Sequence, residues 1–144
     1  MSPALRSHFA DYAAFHATAG NQACHYVGIP LIVFTLVALL TRVPLGSVGG
    51  IGVTLAEVTV VAVTAWYLTL DLPLALAMLV ATSLFAFLGR RVPVLPCVAL
   101  FVVGWIFQFI GHYVYEKKSP AFYKNLAHLL VGPLWIVAKA TGRA

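Results

Sequence analysis

The chain has 144 residues, 62% of them hydrophobic and 9% charged, with a formal net charge of +5. A soluble domain carries about 25% charged residues, and a fold of this size keeps about a third of its unfolded surface exposed, so the natural solvent for this chain is a bilayer. The few basic residues stand at the ends of apolar runs, where anionic headgroups attract them, and form no basic stripe of the kind a nucleic acid requires; no nucleic-acid partner is expected.

Ser2-Pro3 reads as an N-cap followed by proline at the first helical position. The helix they open is predicted to run to Ala19 and stop at Gly20, amphipathic enough to lie in the membrane interface. Arg6, His8 and Asp11 interrupt it, so it does not read as a signal peptide. Asn21 is placed to cap a first span over Ala23–Leu40, close to the 20 or so apolar residues that cross a bilayer. Pro30 within it removes a helical hydrogen bond and predicts a kink near Tyr26. Arg42–Gly50 reads as a loop. Ile51–Leu70 reads as the second span, with Glu57 reaching the interface or pairing with a nearby arginine.

Asp71 is an N-cap for a third span that ends near Gly89. A fourth runs from Cys97 to Tyr115 and is closed by Glu116, Lys117 and Lys118. Ser119-Pro120 repeats the cap-and-proline signal and predicts a helix from Pro120, broken at Gly132-Pro133. The remaining piece, Leu134–Ala138, is too short to span and reads as re-entrant or interfacial. The expected fold is a single all-α domain over residues 1–144. It is a multi-span membrane helical bundle of about four transmembrane helices, with N- and C-terminal interfacial or re-entrant helices. Cys24 and Cys97 make neither a metal spacing nor a disulfide framework. Four spans put both termini on one side, with Arg6, Lys117, Lys118, Lys124, Lys139 and Arg143; the other side has Arg42, Arg90 and Arg91. That bias predicts cytoplasmic termini.

All five histidines then fall at the edge that holds the termini. His8, Tyr12 and His16 recur every four residues on one helix face. Asn21 and His25 form a second such row, and Gln108, His112 and Glu116 a third. A polar row on a membrane helix is costly unless it meets polar partners, so three rows at one depth are expected to meet. Neutral imidazole is a common metal ligand, and amides and carboxylates orient it from behind. His8, near the terminus, reads as an ordinary interface residue. Tyr12, Tyr113, Tyr115 and Tyr123 suit an aromatic belt. Gly28, Gly104 and Gly111 read as close-packing positions between helices.

Phe15-His16, Asn21, His25 and Gly28-Ile29-Pro30 together resemble the first motif of the fungal-type 2-hydroxy fatty acid dioxygenase family, which includes small bacterial membrane homologues. Gln108-Phe109-Ile110-Gly111-His112, Glu116-Lys117, Pro120-Ala121 and Asn125 resemble its second. The resemblance implies iron(II)-dependent α-oxidation. Dioxygen would oxidise a 2-hydroxy fatty acid to the acid one carbon shorter, with release of carbon dioxide. It carries His16, His25 and His112 over as iron ligands, with His128 as a further one. The chemistry of the residues themselves agrees, with Glu116 or Asn21 expected to orient a ligand histidine from behind. Lys117, Lys118 or Lys124 would draw the carboxylate in, and the acyl tail would lie among the spans and membrane lipid. Three other readings stay open on the residues alone: a haem held by His25 and His112 for electron transfer, a zinc-dependent lipid hydrolase, and a scaffold in which the histidines are incidental.

Overall fold

A computed structural model describes all residues, 1–144. Helix α1 (Pro3–Ala14) begins as expected, with Ser2 Oγ accepting the Leu5 N–H at 3.2 Å. It ends earlier than expected, before His16. Helix α2 (Ala19–Leu40) is capped by Thr18, whose Oγ1 accepts the Asn21 N–H at 3.3 Å. Asn21 is not the cap because its side-chain amide is engaged elsewhere, on Phe15 O and Glu116.

The segment read as a loop contains half of a hairpin. Strand β1 (Pro44–Val48) pairs antiparallel with β2 (Ile51–Thr54), Val48 opposite Ile51. Gly49 and Gly50 make the two-residue turn at φ 57° and 81°, the positive values that such hairpin turns require and glycine supplies freely. The hairpin takes its second strand from the expected second span, leaving α3 (Leu55–Leu68) with 14 residues. At 1.5 Å per residue that is about 21 Å, short of a hydrocarbon core of about 30 Å. Glu57 therefore sits in a first turn. Its carboxylate accepts the Thr54 N–H at 2.7 Å and pairs with Arg90 at 2.6 Å.

Three helices, rather than four, are long and apolar enough to cross a membrane. They are α2, α4 (Leu72–Gly89), capped by Asp71 as expected, and α5 (Val94–Phe109), which continues through a π-helical turn, Ile110–Glu116, to 23 residues in all. Short as it is, α3 returns the chain across the bundle, since the Ser2 N–H donates to Leu70 O at 3.1 Å.

After α5 the expected helix at Pro120 is only a 3-10 turn, Ala121–Tyr123; α6 (His128–Ala140) starts later, after Asn125 Oδ1 accepts the Ala127 N–H. The expected break at Gly132-Pro133 does not occur. A proline inside a helix costs about 3 kcal/mol, whereas Val131, Leu134, Trp135 and Ala138 around it are buried, and each large apolar side chain contributes about 1.5–3 kcal/mol. These residues join Leu5, Phe9 and Tyr12 of α1, and the facing ends of α3 and α4, in one core, so α1 is docked rather than lying apart.

The crossing that positions the site is that of α2 on α5. A Cβ on Gly28 would stand 2.7 Å from Gly104 O, and one on Gly104 3.0 Å from Gly28 O. The two backbones touch there, which lays the row with His25 against the row with His112.

Candidate metal centre

His16, His25 and His112 converge, each buried, with their candidate ligand atoms all within 4.8 Å of one another. They come from three places: the link between α1 and α2, the second turn of α2, and the π-helical turn after α5. The rings meet edge to face, with centroids 4.4 Å apart for His16 and His25 and 4.9 Å for each with His112. Rings this close leave no slot for a porphyrin between His25 and His112.

Two backbone carbonyls fix the protons. His16 Nδ1 lies 2.6 Å from Tyr12 O and His25 Nδ1 lies 2.9 Å from Asn21 O. A carbonyl oxygen only accepts, so each Nδ1 donates its hydrogen, and in a neutral ring Nε2 is left with a bare lone pair. Those two Nε2 atoms face each other at 3.0 Å. Protonating one would resolve the clash of lone pairs, but burial pushes His16 down to about 4 against the help of its Tyr12 bond. A cation between them resolves it at neutral pH. Two nitrogens about 2.0–2.1 Å from one ion stand at most about 4 Å apart, and 3.0 Å meets that condition.

Other polar atoms of the cluster point the same way. The buried side-chain nitrogens and oxygens without a partner are Asn21 Oδ1, Gln108 Nε2, His112 Nδ1 and His128 Nδ1. All four belong to this end of the bundle, and leaving such a group unmatched costs about 1–3 kcal/mol. A cavity of about 60 Å³ lies among His16, His25, His112, His128, Gln108 and Tyr12. The donor set fits a divalent transition metal with positions left open for other ligands.

Glu116 and Asn21 form a clamp beside the histidines rather than a shell against the rings. The buried Glu116 carboxylate accepts from Ala17 N–H (3.2 Å), Thr18 N–H (3.0 Å), Thr18 Oγ1 (2.9 Å) and Asn21 Nδ2 (3.1 Å). It thus ties the link carrying His16 to the turn carrying His112. Asn21 orients His25 through its backbone oxygen, not its side chain.

His128 lines the cavity but lies outside the group of three. Its Nε2 is engaged by Asp11 at 2.7 Å. His8 packs edge-on to Trp66, 6.1 Å between centroids, away from the cluster. Lys118 reaches Ala14 O and the Glu116 carboxylate, and Lys124 lies over the Phe15 ring. Tyr12 does not belong to an aromatic belt: it is buried and stacks on His16 at 3.8 Å, while Tyr113, Tyr115 and Tyr123 are exposed. Asp11 and Thr18 escape the sequence reading. Asp11 stands far from His128 in sequence, with no spacing to flag it. Thr18 carried a signal, since threonine before a helix is a common N-cap.

Fold and site together describe a helical bundle with apolar spans and a buried three-histidine centre at the end where the link between α1 and α2 meets the π-helical turn after α5. The chain belongs to the family described as 2-hydroxy-palmitic acid dioxygenase Mpo1-like, which it matches over residues 3–144. It is 34% identical over 131 residues, 88% of this chain and 73% of the relative, to the 2-hydroxy-palmitic acid dioxygenase MPO1 of Saccharomyces cerevisiae. No solved structure matches the chain.

Proposed function

We propose that this chain is an integral membrane iron(II)-dependent dioxygenase, with cytoplasmic termini, that shortens 2-hydroxy fatty acids by one carbon. The observation that carries the reading is the pair of bare Nε2 atoms 3.0 Å apart, with His112 beside them; family membership supplies the substrate class. His16, His25 and His112 would hold the metal, which when bound would supply the coordination site for dioxygen and the hydroxy acid. Dioxygen and the 2-hydroxy acid give the shorter acid, carbon dioxide and water, so no further reductant is required.

The chain's own part is positional. Tyr12 O and Asn21 O hold two imidazoles as neutral ligands. Glu116 keeps the His16 link in place. Burial of the three rings excludes bulk water. His128, whose Nε2 is engaged by Asp11 and whose Nδ1 has no partner, would accept a hydrogen bond from the substrate hydroxyl.

The test is metal analysis of protein purified without a histidine tag, followed by turnover of a 2-hydroxy fatty acid with iron(II) and dioxygen. Stoichiometric iron and formation of the shortened acid are expected. Zinc in its place, with lipid hydrolysis and no shortened acid, would replace the assignment.

A further inference from the structure

A second cavity, about 360 Å³ and lined mainly by hydrophobic residues, runs between α2, α3, α4, α5 and α6. It shares Ile32, Val33, Trp105, Leu129 and Pro133 with the histidine cavity, so the two spaces adjoin through common walls. Its α2 wall continues to Leu40, the last residue of that helix. On α3 it includes Thr59, one turn in from the hairpin, and on α4 it includes Thr82, just past the middle of that helix on the Gly89 side. Leu40 and Thr59 therefore mark the end remote from the histidines, and Thr82 the stretch leading to it. The hydroxyls of Thr59, Tyr67 and Thr82 each donate to a backbone carbonyl, at 2.8, 2.6 and 2.7 Å, so these three are not free to donate to an occupant.

We propose that this cavity holds the acyl chain of the acid whose head group reaches the histidines, and that Thr59 and Thr82 set the longest chain accepted. The proposal rests on the reading of the site as a 2-hydroxy fatty acid centre. The dimensions agree with it. From His25 to Leu40 the α2 wall rises about 22 Å at 1.5 Å per residue. An extended alkyl chain advances about 1.25 Å per carbon, the projection of a C–C bond of about 1.5 Å, so about 18 carbons fit along that wall. A phospholipid would present two chains and a head group too large for the 60 Å³ space at the histidine end. Leu126, Leu129 and Leu130 on the same cavity are exposed on the outside of the bundle, which gives an acid dissolved in the bilayer a lateral way in.

The experiment compares wild type, Thr59→Phe and Thr82→Phe on saturated 2-hydroxy acids of increasing length, in parallel with photolabelling of the wild type by a fatty acid with a diazirine at its methyl end. A phenyl group occupies about 5 Å, or about four carbons, and each methylene excluded costs about fourfold in kcat/KM. The expected result is an optimum shifted by about four carbons toward shorter acids. Label, located to the residue by fragmentation, should land on Leu40, Thr59, Thr82 or their neighbours lining the cavity, and unlabelled 2-hydroxy acid should displace it where phospholipid does not.

An unchanged length profile in both variants would overturn the proposal, as would label confined to outward-facing residues such as Val80 and Leu95, or displaced equally by phospholipid. Absence of turnover by the wild type on every 2-hydroxy acid defeats the functional reading instead. In that case displaceable label at the remote end still supports the acyl berth, and its absence overturns it. If neither phenylalanine variant folds, the photolabelling alone decides in the same two directions.

Discussion

Glu116→Ala tests whether the clamp positions His16. The substitution removes the acceptor of four hydrogen bonds, from Ala17, Thr18 twice and Asn21. Ala17 is exposed and Thr18 half-buried, so water can replace the carboxylate for their groups. Asn21 is fully buried and cannot be rehydrated. Hydrogen bonds to a charged group are worth about 1.5–3 kcal/mol each but do not add. One unrecoverable bond and partial loss of three give about 3 kcal/mol of destabilisation. The freed link should also lower metal affinity by about 10–100-fold, as lost orienting contacts do. Two measurements read this: thermal unfolding of the metal-free protein in detergent, and iron(II) titration well below the unfolding temperature. Glu116→Gln, which keeps one acceptor oxygen, should recover part of the affinity. Wild-type metal affinity in a folded Glu116→Ala protein would refute the clamp.

Three further outcomes are expected. Alanine at His16, His25 or His112 should each abolish bound metal and turnover, because ligands act as a unit; His8→Ala should keep most of both, and His128→Ala should keep the metal while losing activity, read by metal analysis beside the turnover assay. Gly111→Ala would bring a Cβ to 2.5 Å from Asn21 Oδ1 and 3.2 Å from His25 Nδ1, so weaker metal binding with only a modest fall in unfolding temperature is expected by titration and melting. Because burial holds the folded His16 near 4 while the unfolded side chain titrates near 6.5, the unfolded state binds the extra proton between those values. The stability this group contributes is full above about 6.5 and falls by up to about 3 kcal/mol as pH drops to 4. Metal-free wild type should therefore melt lower on acidification, and His16→Gln should lose part of that slope.

The polar rows were legible because hydrocarbon makes an unpaired histidine costly, so their shared depth pointed to a meeting place that the structure contains. The caps at Ser2 and Asp71 were legible for a local reason, since each side-chain oxygen accepts a first-turn N–H three residues on. Part of what escaped the reading depends on partners distant in sequence. Asn21 looks like a cap until Glu116, from the far end of the chain, takes its amide. The hydrophobicity of Ile51–Thr54 fits a span as well as a strand, and only the Gly49-Gly50 turn selects the strand. The π-helical turn at Ile110–Glu116 has no periodic signature, since its row of Gln108, His112 and Glu116 reads equally well as α-helix. Pro133 reads as a breaker because the core that outweighs it is assembled from α1, α3 and α4.

The groups that fix the tautomers of His16 and His25 are main-chain oxygens, at Tyr12 and Asn21. No point substitution deletes a carbonyl. A mutational scan would therefore leave the proton arrangement of this pair intact through every side-chain replacement at those two positions that preserved the helix ends. The arrangement is inherited with the backbone path, and a sequence can drift widely around it before the lone pairs turn away from each other.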